Sequence, residues 1–401
     1  MANIGYIQMV RHCNQNCGFC SNPETPWFHG EAEVRAIIDD FAQRDYFGVI
    51  FTGGEPTLTP ILAASIAYAR GRGLHTRMIS NGQKLADRAY LHELEQAGLD
   101  HVHISVHSHN RALEDFLTGT PGSLAWAEAA LDHLADSAIR VDVNVVINRY
   151  NADQLHETIA WFEARFPHVR HFIFNNLDPS IGRAHTNQYF TPTLRAMEYS
   201  LQLAMQRLSA AGRTFRVEKV PLCYMAGFEH CSTETRKIIK SEERIVHFLD
   251  EKGTVRQQLW GHHQAKVCEV CTLRAICAGL FDRGEAYDEA ELTPVFVDPR
   301  EVVQRVAADE RSDPAWRRSQ LRGAAGLVAA PAQSRAPATM PPPDGSRLVA
   351  PQHNAKRRRD PWQDWHPVTP TPTATTIAAR SDSDDPLSPP PSPAVAGEGA
   401  L

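Results

Sequence analysis

From residue 6 to about 176, short apolar runs alternate with longer stretches whose apolar residues recur every three or four positions. The runs at 6–10, 48–52, 75–80, 101–106, 141–147 and 171–175 are rich in Val, Ile and Phe, which predicts strands. Between them, 31–44, 60–70, 87–97, 123–137 and 153–166 read as amphipathic helices. Strands separated by crossovers of this length pair in parallel. Six β/α units fall two short of a closed eight-stranded barrel, and nothing after residue 180 reads as a further unit. The expected fold is therefore α/β, a partial, open-sided (β/α)6 barrel over residues 1–190, with functional groups at the C-terminal ends of its strands.

The pattern then changes. Residues 177–190 read as a loop, 191–214 as a connecting helix, and 215–300 as a small Cys-rich domain of weak periodicity, held by metal more than by an apolar core. Of 27 prolines, 15 fall between Pro331 and Pro393, so residues 311–401 cannot bury enough apolar surface to order themselves and are expected to form a disordered tail. Its basic run at 356–359 reads as a solvated patch. The formal charge of -6 and pI near 6.3 argue against a nucleic-acid partner held by charge. The first residues lack the basic and apolar regions of a signal peptide, and no apolar run is long enough to span a bilayer, so the chain is expected to be cytoplasmic, with no membrane partner. In that reducing compartment its eight cysteines read as metal ligands or redox groups.

Three of them, Cys13, Cys17 and Cys20, form a C-x3-C-x2-C array just after the first strand. Thiolates suit both zinc and iron-sulfur clusters, but zinc ordinarily takes a fourth Cys or His nearby, and His12 and His29 match no common zinc spacing. Three thiolates on a cubane leave one iron open to a small molecule. Strand two ends in Thr52-Gly53-Gly54-Glu55-Pro56. Its glycines permit either a close ligand approach to the backbone or a tight turn, and Glu55 can accept from an ammonium group.

A three-Cys loop after strand one, followed by GGEP after strand two, resembles the radical S-adenosylmethionine (SAM) superfamily over residues 6 to about 176. The resemblance implies a radical SAM enzyme. Cys13, Cys17 and Cys20 would ligate a 4Fe-4S cluster whose fourth iron is chelated by SAM, and Glu55, with the Gly53-Gly54 backbone, would contact the methionyl amine. Phe19 matches an aromatic that packs near the adenine, Asn81 lies in a segment similar to the family's "TNG", and Ser105 and His107 lie where the ribose is often contacted. Asn144, Asn148 and Asn151 would reach cofactor or substrate, or satisfy local backbone. Asn175, Asn176 and Asp178, after strand six, are substrate candidates at the cavity mouth. Family chemistry is reductive cleavage of SAM to a 5'-deoxyadenosyl radical that abstracts hydrogen from substrate, fed by a low-potential donor such as flavodoxin or ferredoxin.

The segment from Cys268 through Cys271 and Cys277 to Gly279 is C-x2-C-x5-C-x-G and resembles the SPASM and shorter "twitch" extensions, which bind auxiliary 4Fe-4S clusters. Phe281 stands where a full SPASM domain continues with another cysteine, and five cysteines cannot fill two clusters. One auxiliary cluster is expected, on Cys223, Cys268, Cys271 and Cys277, with Cys231 the other candidate for the fourth position and four-thiolate zinc the alternative. Glu229 and Arg236, among the charged residues between these cysteines, are further substrate candidates, although such a run usually lies on a solvated face. A barrel beginning by Tyr6 leaves no N-terminal peptide-recognition domain, which weakens a peptide substrate unless a separate protein supplies recognition. Peptide or natural-product maturation is the first expectation. Small-molecule radical chemistry, or a non-catalytic iron-sulfur or zinc protein, is the alternative.

Overall fold

The computed structural model describes residues 4–22, 25–240, 244–247, 254–257, 262–281 and 286–309. The expected tail beyond 311 lies outside the described residues. Six parallel strands follow the predicted alternation: β1 (Ile4–Val10), β2 (Gly48–Gly53), β3 (His75–Ser80), β4 (His101–Ser105), β5 (Arg140–Ile147) and β6 (His171–Asn176). Helices α1 (Glu31–Gln43), α2 (Leu62–Gly71), α3 (Arg88–Gln96), α4 (Arg111–Thr118), α5 (Ser123–Ala135) and α6 (Leu155–Arg165) connect them.

The sheet does not stop at six strands. After a short helix α7 (Gly182–Thr186), helix α8 (Leu194–Ala210) leads into β7 (Thr214–Glu218), which pairs in parallel with β6. Helix α9 (Thr233–Lys240) then precedes β8 (Arg244–His247), which pairs in parallel with β1. β9 (Thr254–Gln257) adds antiparallel to β8, so the order is 7-6-5-4-3-2-1-8-9. The result is a curled half-barrel with eight parallel strands. Helix α8 is accordingly a barrel helix rather than a connector: it lies against α6, where His156 Nδ1 stands 2.9 Å from Ser200 Oγ and Arg207 pairs with Glu163. The expected boundary at 214 and 215 falls inside β7.

Strand alternation explains the layers. On β1, Ile7 and Met9 are fully buried on the helix-covered side, where α1 presents Val34, Ile38 and Phe41 at helical spacing. Each such side chain contributes about 1.5–3 kcal/mol through burial. Gly5 has no side chain because a Cβ would stand 2.1 Å from the Phe41 ring. The opposite positions, among them Gln8, Arg77, His103, Asn144 and Asn175, are half-buried and mostly polar, so the inner face of the curled sheet is hydrophilic.

The Cys-rich region carries a two-stranded ribbon, β10 (His262–His263) with β11 (Leu280–Phe281), and helix α10 (Pro299–Ala308), capped by Asp298. Specific bonds strap it to the barrel. Tyr287 Oη donates to the Leu177 carbonyl at 2.7 Å, and the Glu291 carboxylate accepts the Leu194 N–H at 3.0 Å, at the N-terminus of α8. Among the described residues no helix is long and apolar enough to cross a membrane.

Candidate active site

The loop carrying Cys13, Cys17 and Cys20 leaves the C-terminal end of β1 and is clamped from three sides. Asn16 and Gly18 donate their N–H groups to the carbonyls of Thr118 and Leu117, the last turn of α4, at 2.9 and 3.1 Å. Helix α7 closes the far side. Arg183 Nε donates to the Cys17 carbonyl (2.8 Å), Ala184 N–H to the Cys20 carbonyl (3.1 Å), and Asn187 Nδ2 to the Gly18 carbonyl (2.9 Å). The base is tied by Asn22, which donates to the Arg11 carbonyl at 3.0 Å and accepts from the Arg11 guanidinium. All three thiols are free, and two receive backbone N–H groups: Gln15 on Cys13 and Asn22 on Cys20, both at 3.4 Å.

The turn after β2 is fitted under this loop. The Gly53 and Gly54 positions are crowded by the chain itself: a Cβ on Gly53 would stand 2.2 Å from the Val10 carbonyl oxygen, and one on Gly54 2.1 Å from that of His12. Gly54 N–H donates to Val10 and Glu55 N–H to His12, so the glycines let the entry to the Cys loop lie directly on the end of β2. Glu55 itself is buried. Its Oε1 accepts from Thr57 Oγ1 (2.7 Å), Ser80 Oγ (2.9 Å) and Thr57 N–H (3.2 Å), and its Oε2 from Asn81 N–H (2.8 Å). Burial pushes the carboxyl above its ordinary range, against the pull of those donors. Asn81 completes the link, since its Nδ2 donates to Asn14 Oδ1 at 2.7 Å and lies 3.8 Å from Cys13 Sγ.

Phe19 is buried with its ring edge-on to His107 (centroids 4.8 Å) and Phe190 (6.0 Å). Beneath it Glu114, on α4, accepts the His107 and Ser108 N–H groups at 2.9 and 2.7 Å, and burial raises its carboxyl to about 8. Ser105 and Asn144 face each other in register on β4 and β5, half-buried on the inner face. The other asparagines of that strand end are structural. Asn148 and Asn151 are buried; Asn151 Oδ1 accepts the Asn148 N–H, and its Nδ2 donates to the carbonyls of His107 and Val146.

Of the substrate candidates, Asn175 alone lies on the inner face, accepting from Lys219 Nζ at 2.8 Å. Asn176 does not face the cavity: strand alternation turns it to the buried side, where it donates to the Lys219 carbonyl. Asp178 is buried and accepts from Ser180, which shapes its own turn. Glu229 and Arg236 are both taken up by contacts within the protein. Glu229 accepts the Gly227 N–H, and Arg236 is buried against Asp309 at the end of α10 (3.0 Å), an oxygen it shares with Arg216 (2.9 Å).

Cys223, Cys268, Cys271 and Cys277 line one small hollow together with Pro221, Leu273 and Gly279. Cys271 accepts the Val295 N–H at 3.4 Å and Cys277 the Gly279 N–H at 3.3 Å. Burial raises the Cys277 thiol to about 11, and those of Cys223 and Cys268 in the same direction. Gly279 adopts φ +87, and a Cβ there would stand 2.2 Å from the His263 carbonyl oxygen. Cys231 is elsewhere, buried beside His230 and the Arg216–Arg236–Asp309 group.

Residues 7–162 match the model of the Radical SAM superfamily. They are a radical SAM domain. A PqqA peptide cyclase of Xanthomonas campestris pv. campestris is 30% identical over 158 residues, 38% of this chain and 42% of that protein. The chain thus matches less than half the length of this curated relative. Two solved structures share the fold: Streptococcus suis SuiB bound to S-adenosylmethionine (TM-score 0.52, 16% identity, 72% of this chain and 77% of that one) and anSMEcpe with bound AdoMet and Kp18Cys peptide (TM-score 0.54, 12% identity, 78% and 98%).

The radical SAM domain implies a 4Fe-4S cluster and SAM, and its Cys loop fits the cluster. Burial raises the Cys13 thiol to about 11 and Cys17 well above its ordinary value, so without metal these groups stay protonated at neutral pH. Metal ligation deprotonates thiols, and the N–H groups aimed at Cys13 and Cys20 then meet thiolate sulfur. Two residues that support the loop, Glu114 and Arg183, carry no signal in the sequence. Arg183 reaches the Cys17 carbonyl from far along the chain, which only the folded half-barrel brings near, whereas Glu114 accepts the N–H groups of His107 and Ser108 just before its own helix.

Proposed function

We propose that the chain is a radical SAM enzyme of peptide maturation, with one auxiliary 4Fe-4S cluster on Cys223, Cys268, Cys271 and Cys277. The observation that carries the first part is the unbroken link from Glu55 through Asn81 and Asn14 to Cys13, which ties the GGEP turn to the three-thiol loop. A 4Fe-4S cluster held by Cys13, Cys17 and Cys20 would supply the one-electron chemistry that cleaves SAM and starts hydrogen abstraction from substrate. The chain's own residues do the rest. Clamping by α4 and α7 fixes the loop, Glu55 with Asn81 offers polar atoms beside it, and Gly53, Gly54, Phe19, Ser105 and Asn144 complete the SAM-facing set.

Four thiols around one hollow support the auxiliary cluster and favour Cys223 over Cys231 as the fourth ligand. A peptide substrate is supported by the relative named a PqqA peptide cyclase and by the peptide-bound anSMEcpe of similar fold. Asn175 and Lys219, paired on the inner face, are the substrate contacts in this reading. A flavodoxin or ferredoxin would deliver the electron, in the reducing cytoplasm that free thiols require. The test is anaerobic reconstitution with iron and sulfide, then dithionite and SAM, reading 5'-deoxyadenosine by mass spectrometry. Formation of 5'-deoxyadenosine is expected; stoichiometric zinc and no SAM cleavage would refute the reading.

A further inference from the structure

At the opposite end of the barrel from the Cys loop, three side chains converge that the radical chemistry does not use. His101 and His103 are two residues apart on β4, so both imidazoles project to the inner face, and Asp142 on β5 is in register with His103. Their ligand atoms all lie within 4.8 Å of one another. The imidazole rings stack with centroids 4.7 Å apart and planes 24° from parallel. His101 Nε2 is 2.8 Å from Asp142 Oδ2, and His103 Nδ1 is 3.9 Å from the same oxygen. The second distance is too long for a hydrogen bond. It suits two ligands of one ion, since donors held about 2.0–2.1 Å from a metal stand roughly 3–4 Å apart.

We propose that His101, His103 and Asp142 form a site for a divalent transition metal such as zinc at the base of the barrel, separate from both thiol sets. Two imidazoles and one carboxylate make a three-ligand set that leaves further coordination positions to solvent or substrate. The side chains of His101 and Asp142 are 5% and 7% exposed and that of His103 is 14% exposed, so His103 is the more open side of the site. His171 borders the group and is oriented by its own bond to Thr214 (Nδ1 to Oγ1, 2.7 Å). Arg77 is the competing cation beside Asp142. Its guanidinium donates to acceptor lone pairs, so it competes with a metal ion for the same atoms. A metal here would staple β4 to β5 at the end of the sheet farthest from the radical site.

The full-length protein, with its thiols occupied by reconstituted iron-sulfur clusters, is incubated with zinc, passed through a desalting column, and measured by elemental analysis and zinc X-ray absorption. The expected result is about one zinc per chain with only nitrogen and oxygen neighbours near 2.0 Å. His103→Gln and Asp142→Asn should each lower retained zinc at least tenfold while the visible cluster spectrum stays unchanged. The absorption spectrum of the unaltered protein decides the matter even if a variant does not fold. Sulfur neighbours near 2.3 Å, no retained zinc, or a nitrogen-oxygen shell untouched by both substitutions would overturn the site.

Discussion

Glu55 Oε2 accepts the Asn81 backbone N–H at 2.8 Å, and together with the Ser80 hydroxyl on Oε1 that bond connects the turn after β2 to the end of β3, next to Cys13. Glu55→Ala would leave the donors of Thr57, Ser80 and Asn81 buried without an acceptor, at about 1–3 kcal/mol for each that water does not reach. The expected outcome is a fall of roughly 3 kcal/mol or more in urea unfolding and loss of iron from the Cys13 loop. Glu55→Gln keeps one acceptor oxygen and should lose less. Equal stability of Glu55→Ala and wild type would show that the carboxylate is not the hub.

The glycine positions give a separable pair of tests. Gly54→Ala puts a Cβ into the His12 carbonyl and Gly279→Ala into that of His263, with strain from φ +87 as well. The first should deplete the iron held by the Cys13 loop, and the second the iron held by the Cys268 set. Iron and sulfide counts with electron paramagnetic resonance distinguish the two losses.

His107 is buried and its Nδ1 accepts the Val146 N–H at 3.1 Å, so burial pushes its imidazole down to about 3. That lies below the roughly 6.5 of an unfolded histidine. The stability it contributes is therefore fully present above about pH 6.5 and is lost as pH falls toward 3. Unfolding near pH 5 should take up about one proton fewer in His107→Gln than in wild type, read from the slope of unfolding free energy against pH. Identical slopes would contradict a neutral, hydrogen-bonded His107.

Arg236 was a substrate candidate by its place between cysteines, but it sits in the Arg216–Asp309 group. Because Asp309 keeps Arg216, Arg236→Met should lower stability by about 1–3 kcal/mol in urea unfolding and leave SAM cleavage per folded molecule within twofold of wild type. A large selective loss of turnover would return Arg236 to the site.

What could be read in advance was local. The spacing of Cys13, Cys17 and Cys20 and the Gly53–Glu55 turn are short signals carried by neighbouring residues, and the first six β/α units follow from hydrophobic period alone. β7 and β8 were missed because Thr214–Glu218 and Arg244–His247 are short, and β7 places Arg216 and Glu218 on the polar inner face, which breaks the apolar run. The roles of Glu114, Arg183 and Asp309 were hidden for another reason. Each is a charged residue that sequence alone assigns to solvent, and its partners lie in other elements.

The most direct test of the proposed two-cluster radical SAM assignment pairs iron counting with SAM cleavage in two triple variants. Wild type should hold about eight irons and form 5'-deoxyadenosine. Cys13→Ala, Cys17→Ala and Cys20→Ala together should leave about four irons and abolish cleavage, whereas the Cys268, Cys271 and Cys277 replacements should remove about four and leave the first cluster's spectrum. SAM cleavage that survives loss of Cys13, Cys17 and Cys20 would contradict the assignment.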